Sequence, residues 1–421
     1  MPSWMLIVIF FALVFLNCPI SVALGCSAFV MMLLDPNMNI GIISGCIYNG
    51  IAKYVMLAIP YFVLAGIIME YSGISRRLVT LARTLVGHWR GGLIIVVCAV
   101  SCFFGAISGS GTACIAAIGG IMIPAMVNDN YERGFASALL SISAGIGMVI
   151  PPSIQFVVYA MVANVSIIDQ FTAGIVPGLM LGLVFALTGL FVVKKQDIQV
   201  LPKASGKEVL AALKDAAWGL MSPVIILGGI YTGIFTPTEA AGISVIYCIF
   251  VGLFVYKELK LSNLKKMAII AASSTAMIMF IIAFASVFAW YLSTSGLSNS
   301  IANLFLGIST DQHIVLLMMI IVFLIAGCFI DPTSIAFIIV PVFLPVLNQL
   351  GINLFHFGVV YNVACLIGLM TPPVGTNLYV GAKIGGVTAT ENARHAVPFI
   401  ISGTVLLLVL TYVPWFSTCL L

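Results

Sequence analysis

Charge is what this sequence has least of: Asp, Glu, Lys and Arg make up 7% of its 421 residues, against 62% hydrophobic residues. Soluble domains carry roughly a quarter of their residues charged, so the soluble class is excluded and the chain reads as an all-α polytopic membrane protein. A mean hydropathy of +1.22 agrees. A cleavable leader is missing too, because the first apolar run, residues 4–34, has no charged segment before it and no small-residue cleavage site after it. The ten cysteines lack any CxxC pair and read as reduced packing residues. No GxxxxGK[ST] run is present, which excludes a P-loop ATP-driven pump. The four histidines, His88, His313, His356 and His395, fall near predicted span ends without metal-ligand spacing, and read as interfacial. An intramembrane aspartyl protease needs two facing aspartates and a serine protease needs a base at depth; only Asp331 is placed there, so no enzyme is expected. The net charge of +4 is a topology signal and implies no nucleic-acid partner.

What the sequence does contain, it contains twice. A Gly/Ser/Pro-broken tip is followed by an apolar helix pattern split by a Pro-Pro pair. Thr112, Pro124, Gly147, Pro151, Pro152 and Pro177 recur as Thr333, Pro345, Gly368, Pro372, Pro373 and Pro398, every pair at the same offset and with no gap. Such register in a chain of interchangeable aliphatics indicates an internal duplication. Paired broken segments in two halves point to a transporter's binding site. Proline lacks an amide and clashes with the carbonyl four residues back. The pattern therefore predicts freed carbonyls at Gly147 and Met148, at Gly368 and Leu369, and at Cys328 before Pro332. At membrane depth these need protein, water or a cation to satisfy them.

Charges set the layout. Arg90 and Arg133 flank residues 91–127 and belong on the cytoplasmic side, so that stretch reads as a re-entrant hairpin rather than two crossings. The first repeat is expected over 1–206, with this hairpin and a broken helix at 135–163. The second covers 207–421, with a hairpin at 313–350 whose tip is 330–333 and a broken helix at 355–385. Residues 73–90 mix arginines with leucines as an interfacial amphipathic helix does, and Lys194 to Lys214 read as a basic cytoplasmic loop leading to a span at 221–235. With about five crossings per half, sixteen of the seventeen Lys and Arg are cytoplasmic, Lys53 being the exception. An odd number per half makes the repeats inverted, with ten crossings and two hairpins opening to opposite faces.

Of thirteen acidic residues only Asp331 is placed at depth, which makes it a functional candidate. Capping of the returning hairpin helix is the competing reading, and one carboxylate can do both. Ser108, Ser110 and Thr112 are interleaved with glycines, and Thr371, Thr376 and Asn377 surround the second Pro-Pro pair. Oxygen-only ligands of this kind suit Na⁺ better than a transition metal. No arginine is placed at depth, so an anionic substrate would be held by helix amino ends, hydroxyls and co-bound Na⁺. A channel lined by the same tips is the alternative.

The run Gly105-Ala-Ile-Ser-Gly-Ser-Gly-Thr112 carries a family resemblance, together with Gly147-Met-Val-Ile-Pro-Pro-Ser153, Gly368-Leu-Met-Thr-Pro-Pro-Val-Gly-Thr-Asn377 and Pro60-Tyr-Phe-Val-Leu-Ala-Gly66. Over nearly its whole length the chain resembles the large membrane subunit of tripartite ATP-independent periplasmic (TRAP) transporters. The resemblance implies an ion-transporter-superfamily fold, Na⁺-driven uptake of an organic acid, and an elevator motion of a transport domain. It implies a first Na⁺ site from Ser108, Ser110, Gly147, Met148 and Ile150, and a second from Gly327, Cys328, Asp331, Gly368, Leu369 and Thr371. Substrate would lie between the tips, near Ser108, Ser110, Thr112, Ser153, Asp331, Thr333, Thr376 and Asn377. Implied partners are a periplasmic substrate-binding protein and a small four-helix membrane subunit, expected as a separate chain, in a bacterial inner membrane. Among substrates, the overall look of the sequence leans to sialic acid, with C4-dicarboxylates and other keto or sugar acids as alternatives.

Overall fold

The computed structural model describes residues 2–36, 38–200 and 202–421, with only the backbone described for Ala106, Ile107, Ser108, Lys195 and Leu261. Every regular element among the described residues is helical. The chain opens with Met5–Phe15 and Ile20–Leu34, parted by Asn17 at φ 63° and by Pro19. The two pack on each other, so this stretch is a pair of helices and not one kinked span. Ile42–Ile51 ends at Ala52-Lys53, and Ala58–Tyr71 resumes after a 3₁₀ turn at Tyr54–Leu57.

The amphipathic arm, Ile74–Val86, buries Ile74, Leu78 and Leu81. It is clamped to the second half by Arg77, which bonds Glu258 at 2.7 Å and Asp215 at 3.0 Å. The same guanidinium lies 3.8 Å from the Tyr256 ring centroid. A planar fork that pairs and stacks at once is a task lysine performs poorly. Arg77→Ala is expected to cost about 2 kcal/mol of stability, and Arg77→Lys to recover less than half of it. Thermal melts of the purified protein would check both.

The first hairpin is Gly92–Ser108 and Gly111–Asn128, and the first broken helix is Arg133–Ala144 with a 3₁₀ turn to Met148, resuming at Ile154–Ala163. Ile167–Val192 closes the half. In the second half, Gly206–Tyr231 and Pro237–Phe250 lead to Leu261–Thr294 and the arm Leu297–Ile308. The second hairpin pairs Gln312–Gly327 with Pro332–Ile338 and Val340–Gln349, the last two bent by 55°. Leu354–Gly368 and Thr376–Gly385 form the second broken helix, and Ala389–Tyr412 follows. Shifted by the offset that carries Thr112 onto Thr333, Gly111–Asn128 coincides with 332–349, and the bounds of Ile154–Ala163 and Ile167–Val192 fall next to or on those of Thr376–Gly385 and Ala389–Tyr412.

Two expectations need correction. The stretch around Lys207 and Lys214 is helix rather than loop, because Ser205 and Glu208 form a reciprocal capping box that starts Gly206–Tyr231 early. Among the described residues seven helices, or eight counting the bent pair, are individually long and apolar enough to cross a membrane. Other apolar helices, such as Ile20–Leu34 and Leu354–Gly368, are shorter. His356 is buried rather than interfacial, its ring nitrogens satisfied by the Ser417 hydroxyl at 2.7 Å and the Thr411 carbonyl at 3.3 Å. The core is built on the two unbroken segments before the Pro-Pro pairs: every residue from Gly134 to Ala144, and from His356 to Gly368, is buried.

Candidate functional site

Each Pro-Pro pair follows a buried helix, the first pair itself buried and the second, Pro372-Pro373, exposed, and both Pro-Pro peptide bonds are cis. Each break is crossed at backbone distance by the first arm of its own hairpin. A Cβ built on Gly105 would overlap Gly147 Cα, and one built on Gly147 would overlap Gly105 Cα. In the second half a Cβ on Gly368 would stand 2.6 Å from Gly327 Cα. Glycine is required at such crossings because nothing else lets two backbones meet.

The carbonyls that proline frees are not left bare. Met148 O accepts the Ser153 hydroxyl at 2.6 Å, and Gly368 O accepts the Thr371 amide at 2.9 Å. Cys328 O, at the second hairpin tip, accepts the amides of Val374 and Gly375, both at 3.2 Å. Leu369 O accepts the Leu378 amide at 3.4 Å. The expectation of free carbonyls is thus corrected for Met148, Cys328, Gly368 and Leu369. The loop after each Pro-Pro pair folds back and supplies donors, and a carbonyl that accepts a single bond keeps a second lone pair. Thr371 itself spends its hydroxyl on Ile367 O at 2.9 Å.

Four helix starts face this region. Ser110 begins Gly111–Asn128 and accepts from the Ala113 amide at 3.5 Å, with the Thr112 hydroxyl 3.2 Å away. Ser153 begins Ile154–Ala163 and accepts from the Phe156 amide at 3.4 Å. Asp331 begins Pro332–Ile338, taking the Ser334 amide at 3.0 Å and the Ser334 hydroxyl at 2.6 Å. Gly375 begins Thr376–Gly385 and has no side chain with which to cap it. Helix amino ends carry partial positive charge and unpaired amides, so a converging set of them is a seat for an anion.

The halves are joined crosswise. Gly111 of the first tip lies against Asn377, whose Nδ2 is 2.7 Å from a Cβ built on Gly111. Thr333 of the second tip accepts from Gln155 Nε2 at 3.2 Å. Asn377 is 1% exposed and its Nδ2 has no hydrogen-bond partner among the described residues. Thr333 and Ser153 are buried, Asp331 is half-buried, and Thr112 and Thr376 are exposed. The side chain of Ser108 lies outside the described residues. Gln155, and Tyr361 whose hydroxyl donates to Pro332 O, belong to the site but are missed by the sequence reading. For Gln155 a signal was available, since the offset that carries Thr112 onto Thr333 carries it onto Thr376.

Two hairpins docked on two interrupted helices, inside a bundle of apolar spans and around one carboxylate, define a membrane permease of the secondary-transporter class. Residues 7–416 match the family described as "Tripartite ATP-independent periplasmic transporter, DctM component". The chain belongs to that family: it is the large permease component of a TRAP transporter for an organic acid, and an inner-membrane protein. It is 40% identical to the C4-dicarboxylate TRAP transporter large permease protein DctM of Pseudomonas aeruginosa, over 94% of this chain and 93% of that one. It is 36% identical to the isethionate TRAP transporter permease protein DctMQ of Oleidesulfovibrio alaskensis, over 94% of this chain and 62% of that one. To the sialic acid TRAP transporter large permease protein SiaM of Vibrio cholerae it is 34% identical, over 97% and 96%. In fold it is similar to the crystal structure of the Alcanivorax borkumensis YdaH transporter, with a TM-score of 0.68 at 14% identity, covering 100% and 99% of the two chains.

Proposed function

We propose that this permease is a Na⁺-coupled importer, in which Na⁺ binding at the two breaks completes a carboxylate site between the hairpin tips and the hairpin-bearing body then moves as an elevator. The observation that carries the reading is that each hairpin tip meets the start of the other half's resumed helix, Gly111 against Asn377 and Thr333 against Gln155, with the half-buried carboxylate of Asp331 at the second tip. A lone carboxylate among amides and hydroxyls would repel an organic anion unless a cation sits between them, and that requirement couples substrate to Na⁺. Cargo Na⁺ at the second break would draw on the Asp331 carboxylate and the carbonyls of Gly368 and Leu369, each of which accepts one bond; at the first, on Gly147 O, Ile150 O and the Ser110 hydroxyl. In this reading the two halves are inverted repeats, 1–206 and 207–421, with their hairpins opening to opposite faces.

The substrate we favour is a C4-dicarboxylate, ahead of sialic acid, because the relative named for it is 40% identical and the sialic acid relative 34%. Delivery is by a periplasmic binding protein, with a small membrane subunit alongside; a relative carrying both letters of DctMQ in one chain supports that pairing. The test is uptake of labelled succinate and labelled sialic acid into proteoliposomes holding this chain, its small subunit and a purified binding protein, with and without a Na⁺ gradient. Succinate uptake is expected only when the gradient and a dicarboxylate-binding protein are both present. Uptake of sialic acid alone would overturn the substrate, and non-saturable flux without Na⁺ would overturn the mechanism in favour of a channel.

A further inference from the structure

The helix starting at the first tip has a face that no apolar packing explains. Along Gly111–Asn128 the exposed residues are Thr112, Ala116, Gly120, Pro124 and Asn128, one per turn. None is a large aliphatic. On Ile167–Val192 the residues exposed at the same spacing are Leu179, Leu183, Leu187 and Phe191, 55–80% exposed, as a face in contact with lipid requires. The second hairpin's first arm likewise exposes Leu317, Ile321 and Ile325. A row of Thr, Ala, Gly, Pro and Asn is not a lipid face.

Thr376–Gly385 runs beside that row in the same direction. Gly111 meets Asn377, and two turns further along Gly119 meets Ile384. Its exposed residues are Thr376, Tyr379 and Lys383. The helix ends where a Cβ on Gly386 would stand 3.4 Å from Arg133 Nη1, on the face that carries the arginines. At its head is the partnerless buried amide of Asn377. The corresponding surfaces of the other half are less open near the tip: Thr333 and Phe337 are buried, and so is Val158, the counterpart of Tyr379, while Pro341 and Pro345 are half-buried.

We infer that these two helices wall a water-filled passage from the tip region to the cytoplasmic face, and that Lys383 is its electrostatic steering residue, drawing a carboxylate substrate from the Asn377 amide along the Thr112–Ala116–Gly120 row. Lys383 stands two turns beyond Thr376, about 10 Å along the helix. One fixed ammonium on a low-dielectric wall raises the local concentration of anions and lowers that of cations. The inference rests on the proposed carriage of an anion only for its purpose, since the passage and its potential exist without substrate.

The test uses thiols as voltmeters. Cysteines introduced at Ala116 and Gly120 are tolerated, because both positions are exposed and nothing lies within 4 Å of a Cβ on Gly120. Inside-out vesicles are treated with an anionic (sulfonatoethyl) or a cationic (trimethylammonioethyl) methanethiosulfonate, with the wild-type chain as background and Leu183→Cys as the lipid-facing control. Ala116→Cys and Gly120→Cys are expected to label at least about tenfold faster than Leu183→Cys, with the anionic reagent favoured. Adding Lys383→Gln should lower the anionic-to-cationic rate ratio several-fold and leave the product of the two rates nearly unchanged. Labelling no faster than at Leu183 would overturn the passage, and a ratio indifferent to Lys383→Gln would overturn the steering role. Neither readout depends on succinate uptake, so failure here is distinct from failure of the substrate assignment.

Discussion

Gly147→Ala is expected to remove nearly all folded protein from the membrane, although it adds a single methyl group. The new Cβ would coincide with the backbone of Gly105, and a backbone inside a packed hairpin cannot step aside as a flexible side chain can. Both helices would have to separate, opening the crossing that docks the hairpin on the break. A cost above about 4 kcal/mol belongs to the short list of severe mechanisms, overpacking among them. Gly105→Ala should be equally severe. Gly368→Ala, 2.6 Å from Gly327 Cα, should be milder, and Gly327→Ala, at 3.1 Å from Gly368 Cα, milder still. Gly120→Ala, with open space around it, serves as the neutral control. Monodisperse yield after detergent extraction and the melting temperature of whatever survives would rank the five variants. Wild-type yield for Gly147→Ala would mean that the crossing does not hold the hairpin in place.

The recurrence of residues at one offset was legible because proline, glycine and threonine stand out against interchangeable aliphatics, and several helix bounds recur at or beside that spacing. The helix interruptions at Gly109-Ser110 and at the Pro-Pro pairs are legible for the same reason: glycine and proline act on their own turn. What sequence spacing did not convey was partnership. A constant offset says that two segments are alike and does not say which of them touch. The crosswise pairing of Gly111 with Asn377, and of Gln155 with Thr333, follows from how the halves interlock. The same holds for the carbonyls. Proline frees Met148 O and Cys328 O by a local rule, but the Ser153 hydroxyl and the Val374 and Gly375 amides that claim them arrive because the loop after each Pro-Pro pair turns back. A lone buried helix start whose cap is glycine, at Gly375, is visible in sequence only once the helix boundary is known.

Asp331→Asn separates the two roles open to the one carboxylate in the site. As a cap, Asp331 accepts the Ser334 amide and hydroxyl. Asparagine caps about as well as aspartate, so stability should change by less than about 1 kcal/mol. As a cation ligand it supplies the only full negative charge proposed beside Gly368 O and Leu369 O, and asparagine removes that charge while keeping an oxygen in place. Na⁺-dependent uptake by Asp331→Asn is therefore expected to fall at least about tenfold, with a higher Na⁺ concentration needed for half-saturation. Asp331→Ala should lose both functions, melting lower by the cap's about 1 kcal/mol and transporting no better than Asn. Asp331→Glu keeps the charge, but its longer stem moves it off the Ser334 amide, so it should retain part of the Na⁺ response on a less stable fold. The pattern in which Asn transports like wild type and Ala alone fails would leave Asp331 a structural cap. Coupling would then have to reside in uncharged oxygens, and substrate charge would be balanced by helix amino ends alone. Because the first site offers Ser110 where the second offers Asp331, only the second half's Na⁺ response should move in these variants. A biphasic Na⁺ dependence in the wild type, reduced to one phase by Asp331→Asn, is the signature that two unlike half-sites would leave.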